Sequence, residues 1–194
     1  IDLNGVIHWT PTESQGPGDY TFTTVVADDG NPSLSATNSF TVTVSEVNRA
    51  PVLPSQSNRT INELTQLVVT NTATDLDVPV NALVYQLIAA PSGVAIDNAG
   101  IITWIPSESE GPGTYTLTTV VTDNGQPALS ATNSFTVTVN ELNLPPSLPP
   151  QNNRVINELT QLLVNAGASD PDLPADDLTY QLLNPPAGAS VDST

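Results

Sequence analysis

Cysteine and lysine are both missing from this sequence of 194 residues, and its basic side chains are Arg49, Arg59 and Arg154 alone. Without cysteine there are no disulfides and no thiolate metal sites. Without lysine there are no Lys–Asn isopeptide cross-links, so an exposed protein of this composition takes its rigidity from packing or from bound ions. The three arginines face twenty acidic residues, for a net charge of −17. A surface this negative repels nucleic acid and anionic membranes, so neither is an expected partner, and it attracts cations. No run approaches the roughly 18 apolar residues needed to cross a membrane, and no membrane insertion is expected of this segment. The opening "IDLNGVIHW" shows no signal peptide, which leaves the parent protein open. Convincing helix signals are absent too.

What is present is strictly patterned. Apolar residues make up 38% of the chain and alternate with threonine, unlike the composition of a disordered segment. The stretch "VTVSEVNRAP" (42–51) comes back as "VTVNELNLPP" (137–146). Trp9 recurs as Trp104, Tyr20 as Tyr115, Asp28 as Asp123, Phe40 as Phe135, Glu46 as Glu141, Asp75 and Asp77 as Asp170 and Asp172, and Tyr85 as Tyr180. Every pair is 95 residues apart with no gap, so the chain is an internal repeat of two periods and four residues.

One period reads as seven short strands: "SNRTINE", "TQLVVTNTATD", "ALVYQLI", "GVAID", "GIITWI", "GTYTLTTVV" and "NSFTVTV". Alternating apolar and Thr positions suit a half-buried antiparallel sheet, and Gly, Pro, Asn and Asp break the runs at sandwich-like spacing. The class is all-β, built of tandem seven-stranded sandwiches. The Pro-bearing junctions divide the chain into 1–46, the last three strands of one repeat, 47–143, a complete repeat, and 144–194, the first four strands of the next. Half a sandwich cannot cover its own apolar face. The chain is therefore a window on a longer array, or its halves complement one another between copies in head-to-tail or lateral self-association.

Simple up-and-down connections place the acids at the two ends of each sandwich. The first hinge collects Glu13, Glu46 and Asn48 from the preceding repeat and Asp75, Asp77 and Asp123 from the following one. The second collects Glu63, Glu108, Glu110, Glu141 and Asn143, facing Asp170 and Asp172. Two like charges about 4 Å apart repel by roughly 4 kcal/mol at an effective dielectric near 20. Several in one hinge call for a counter-ion, and an all-oxygen donor set with no His or Cys selects a hard cation. Calcium, which accepts 6 to 8 oxygens in flexible geometry, fits better than magnesium. The plain alternative is that these are solvated turn residues, a common place for Asp and Asn.

The succession "INE", "TDLD", "IDNAGIITW", "GTYTLTTVVTDNG" and "FTVTVNELNLPP" resembles the cadherin-like repeats of large bacterial surface proteins, related to the cadherin-like domain of dystroglycan. The resemblance implies an Ig-like, cadherin-like sandwich at the cell surface or outside the cell. It also implies calcium held between domains by a Glu after the first strand (Glu63, Glu158), a D-x-D (Asp75 and Asp77, Asp170 and Asp172) and an Asp in an A-x-D-x-G setting (Asp123). Asp28 matches that last position but would serve a hinge before residue 1. The linker here is E-x-N rather than D-x-N-D-N, and "WTPTES" and "WIPSESE" replace L-D-R-E. Fewer ions per hinge are expected than in vertebrate cadherins.

The remaining residues carry little chemistry. Tyr20 and Tyr115 sit where a tyrosine caps a sandwich corner. His8 is the lone histidine, has Thr103 as its counterpart, and is expected on a strand surface. Asn58-Arg59-Thr60 is a formal glycosylation sequon that its copy at Asn153 lacks. No base-activated nucleophile can be assembled, so no enzyme is expected. The function read from the sequence is a calcium-stiffened stalk or filament of a cell-surface adhesin-like protein. The alternative is a carbohydrate-binding module using Trp9 and Trp104 as sugar platforms.

Overall fold

The computed structural model describes residues 4–192. The seven strands expected of the complete repeat all form: β3 (Arg59–Asn62), β4 (Leu67–Thr70), β5 (Val84–Ala89), β6 (Ala95–Ile96), β7 (Ile101–Trp104), β8 (Gly113–Thr122) and β9 (Ser130–Asn140). Before them lie β1 (Gly18–Ala27) and β2 (Ser35–Val44). Two short 3₁₀ turns, Glu13–Gln15 and Glu108–Glu110, lead into β1 and β8.

The complete repeat is two sheets face to face. One has the order β3-β9-β8-β5 and the other β4-β7-β6. The first strand runs parallel to the last, Arg59 opposite Val137 through Asn62 opposite Asn140, while the other pairings are antiparallel. That parallel pairing brings the end of β3 beside the end of β9, and with them Glu63 beside Glu141.

The core follows the period-two pattern. Leu67, Val69, Ile102 and Trp104 from one sheet meet Leu117, Phe135, Val137 and Val139 from the other. Trp104 is 2% exposed and meets Tyr115 edge-on at 5.2 Å. The Tyr115 hydroxyl donates to the Glu110 carbonyl (2.8 Å), and Tyr20 does the same to Gln15 (2.8 Å), the corner cap expected of both tyrosines.

The flanking halves differ from the sequence expectation. β1 and β2 form a two-stranded ladder, but the stretch around Trp9 is not a strand. Trp9 instead packs on Tyr20 and Phe22, and His8 is exposed off any strand. Residues 144–192 carry no strand, only the bridge Ser147–Ser169. The reason is pairing. In the complete repeat β4 bonds to β7, β3 to β9 and β5 to β8. Residues 144–192 include no counterparts of β7, β8 and β9, the strands to which β4, β5 and β3 bond, so their segments have no ladder partner among the described residues.

Candidate metal centres at the two hinges

Each hinge is assembled by backbone that leaves little choice. At the second, the Glu63 N–H donates to the Asn140 carbonyl (3.0 Å), and the next residue, Leu64, is left-handed at φ 57°, turning the chain away. Glu63 is 0% exposed. Its Oε1 accepts from the Leu142 N–H (3.1 Å), while Oε2 is buried without a partner. Glu108 enters from its 3₁₀ turn and Glu141 from the end of β9. Carboxylate oxygens of Glu63, Glu108 and Glu141 lie within 4.8 Å of one another, and neither Glu141 oxygen has a hydrogen-bond partner. A methyl group on Gly111 would overlap Glu63 Oε2, so glycine is needed there to seat this carboxylate.

The next repeat reaches in from the other side. Both oxygens of buried Asp172 accept from the Leu144 N–H (3.0 Å each), and Glu108 Oε1 accepts from the Leu173 N–H (3.1 Å). The Asn143 amide nitrogen donates to Asp176 Oδ2 (2.7 Å) and Asp172 Oδ2 (3.2 Å). Asp170 Oδ1 caps the Asp172 and Asp176 N–H groups (3.0 and 3.3 Å).

The first hinge repeats the plan. Glu13, Glu46 and Asp77 bring oxygens within 4.8 Å of one another. The Arg49 N–H donates to both Asp77 oxygens (3.2 and 3.1 Å), and the Arg49 guanidinium pairs with Glu13 at 2.8 Å. Asn48 donates to both oxygens of Asp123 (3.1 Å each) and to the Pro127 carbonyl (2.8 Å). Asn81 donates to Asn48 Oδ1 (2.6 Å) and Asp77 Oδ2 (2.8 Å). Asp75 Oδ1 caps the Asp77 N–H (3.0 Å), and its Oδ2 is buried without a partner.

Electrostatics follow from this crowding. Burial, then the charges of Glu13 and Asp77, push the Glu46 carboxyl above its ordinary value. Burial, then Glu63, raises Glu108, and burial, then Glu63 and Glu108, raises Glu141. Asp123 goes the other way. Burial opposes its ionisation, but the Leu129 N–H, Asn48 and the Gly125 N–H outweigh that and hold it below the usual range.

The structure thus gathers Glu13, Glu46, Asn48, Asp75, Asp77 and Asp123 at one hinge and Glu63, Glu108, Glu141, Asn143, Asp170 and Asp172 at the other. Glu110 is not brought in. Its Oε2 accepts from the Ser107 N–H (2.6 Å) and hydroxyl (3.0 Å), closing a capping box on its own turn. Asp123 joins through amide and N–H donors and stays outside the carboxylate triad. Glu158 is exposed, with no strand beside it among the described residues as β9 stands beside Glu63. Asn81 and Asp176 were missed. They too are 95 apart, each four residues beyond the second Asp of a D-x-D, and that spacing is the signal that would have found them. Trp104, buried in the core, offers no platform to a sugar. No helix among the described residues is long and apolar enough to cross a membrane.

Comparisons with known proteins agree with this architecture. A family model described as "Putative Ig domain" matches residues 47–140. Human Protocadherin-1 is 32% identical over 145 residues, 69% of this chain, and the chain spans only 14% of that protein's length. Among solved structures, protocadherin gamma B2 extracellular cadherin domains 3–6 match at 26% identity and TM-score 0.51, over 74% of this chain and 38% of that one. Mouse cadherin-23 EC22–24 matches at 21% identity and TM-score 0.53, over 84% of this chain and 56% of that one. The fold is a cadherin-like, Ig-like β-sandwich, and the solved relatives that share it include extracellular cadherin domains.

Proposed function

We propose that this chain is a calcium-stiffened segment of a stalk on an adhesin-like surface protein, built from tandem cadherin-like repeats of 95 residues. The observation that carries the reading is Glu63, fully buried beside Glu108 and Glu141 with one carboxylate oxygen left without a partner. A buried anion among two others is costly unless something opposes its charge. The donors are all oxygen, and several face inward unpaired, so the set suits calcium. Calcium, when bound, supplies the divalent charge and draws 6 to 8 oxygens together. The chain's own part is to deliver Glu63, Glu108 and Glu141 from one repeat, to tie Asp172 of the next to the linker through the Leu144 N–H, and to lock Asn143 across the junction. With the carboxylates neutralised the two repeats hold one angle, and without the ion their repulsion loosens the linker.

The same reading accounts for the bare faces of the flanking segments. Val26 and Phe40 are 66% and 44% exposed, whereas their counterparts Val121 and Phe135 are 0% and 3% exposed. In this proposal the remaining strands of each adjoining unit in a longer array cover those faces, which makes 1–46 and 144–194 halves of adjoining units. The bacterial setting implied by the resemblance belongs to the same proposal.

Small-angle X-ray scattering in calcium and in chelator tests it. A stiffer, longer particle in calcium is expected, with the difference abolished by Glu63→Gln. Identical profiles in both buffers would remove the proposal. Growth of particle mass with concentration in light scattering would assign the covering of the bare faces to a second copy.

A further inference from the structure

The two hinges share one backbone clasp and differ in the charged side chains around it. The Arg49 N–H holds Asp77 as the Leu144 N–H holds Asp172. Beyond the N–H, position 49 carries a guanidinium 2.8 Å from Glu13, while position 144 carries an isobutyl group. Glu108, the counterpart of Glu13, receives a peptide N–H from Leu173 and no cation. A second difference runs the same way. Asn81, a neutral amide donating to Asp77 and Asn48, stands where the second hinge has the carboxylate of Asp176. Over the positions that both hinges have in this sequence, the first holds four carboxylates and one guanidinium (Glu13, Glu46, Asp75, Asp77 and Arg49). Over the same positions the second holds five carboxylates and no positive side chain (Glu108, Glu141, Asp170, Asp172 and Asp176).

Resting on the calcium reading above, we propose that Arg49 is a built-in counter-ion that keeps the first hinge closed when calcium is scarce, whereas the second hinge closes only with the added ion. Arg49 is tethered beside Glu13 at a fixed high local concentration, so it need not be recruited from solution. Its side chain is 56% exposed, so solvent and salt screen it and its effect is partial rather than complete. It neutralises one charge where calcium would neutralise two. Leu144 supplies nothing of the kind, and Asp176 adds an anion where the first hinge has the neutral Asn81. On calcium withdrawal the rod would bend first at 141–146 and keep its angle at 46–51. An array carrying arginine at some hinges and leucine at others would soften stepwise rather than all at once.

The backbone amides at positions 49 and 144 report the two hinges separately, because each donates to the aspartate of its own clasp. Hydrogen exchange at both positions, read by NMR on the whole chain in chelator and through a calcium titration, tests the proposal. In the unaltered protein, position 144 is expected to lose protection in chelator and position 49 to keep it. Arg49→Leu should lower protection at position 49 in chelator about fivefold and make it calcium-dependent, and Leu144→Arg should raise protection at position 144 in chelator. Amides of β8 and β9 serve as the folding control and should not change. If calcium protects position 144 while Arg49→Leu leaves position 49 as it was, the counter-ion role is overturned and the calcium reading stands. If calcium changes neither position in any variant, both fall together.

Discussion

β1–β2 and β8–β9 are nearly the same hairpin written twice. Each pairs ten residues in the same register, Gly18 with Val44 in one and Gly113 with Val139 in the other. Their surroundings differ. In the complete repeat the inner face of the hairpin lies on β4, β7 and β6 and is sealed, whereas in the first it is open. Pairing is local, set by alternating Thr and Val across a short connection. Burial is not local, because it requires a second sheet that only the full period provides. The glycines record the same contrast. A methyl on Gly111 would overlap Glu63, whereas at Gly16, one period earlier, nothing is nearer than 3.4 Å.

The largest expected break in that comparison is at the tryptophans. Trp104→Ala empties the middle of the core and should cost about 3–5 kcal/mol in urea unfolding followed by β8–β9 amides. Trp9→Ala removes one edge-on aromatic partner and should cost about 1 kcal/mol. Equal losses would mean that the first hairpin has a sealed core after all.

The glycines give the next contrast. Gly111→Ala should destabilise the second hinge by about 1–3 kcal/mol through overpacking against Glu63, and weaken calcium binding with it. Gly16→Ala should stay within about 0.5 kcal/mol. Calorimetric calcium titration and melting of both variants would show whether the buried carboxylate is held as tightly as its surroundings indicate.

Protons sharpen the contrast between the carboxylates. Glu46, Glu108 and Glu141 have raised values in the folded state. Their contribution to stability is fully present below the ordinary glutamate value and is lost as pH rises through the raised ones. Asp123, held below its usual range, contributes above the ordinary aspartate value and loses that contribution as pH falls through the depressed one. In chelator, the hinge amides should therefore gain protection on mild acidification from neutral pH, until Asp123 begins to protonate. Calcium should flatten the gain by replacing the proton. A loss of protection from the first step of acidification would contradict the crowding of these three glutamates.

The smallest effect belongs to Glu110. Gln15 already plays its capping role in the first repeat, accepting from the Thr12 N–H at 2.8 Å. Glu110→Gln should change stability by less than about 0.5 kcal/mol and leave calcium affinity unchanged, whereas Glu108→Gln should weaken it.

Much of this was legible from period and pattern. Seven strands, two sheets and the meeting of D-x-D with E-x-N across a junction all follow from alternation and connectivity. Three features did not, each for a physical reason. Glu110 reads as a ligand by charge alone, whereas the Ser107-x-x-Glu110 capping box turns its carboxylate onto its own turn. The Trp9 stretch and residues 144–192 read as strands because alternation reports a side-chain pattern, while a strand also needs a neighbour to bond. Asn81, Asp176 and the pairing of Arg49 with Glu13 were hidden because a neutral amide and an exposed arginine carry no signal until the hinge has brought them face to face.

The central claim is that an ion joins the repeats, and thermal unfolding of the whole chain in calcium, in equal magnesium and in chelator tests it most directly. The account predicts a calcium-specific rise in Tm that Glu63→Gln removes. Superimposable curves in all three buffers would contradict it and leave these carboxylates as ordinary turn residues of a flexible spacer.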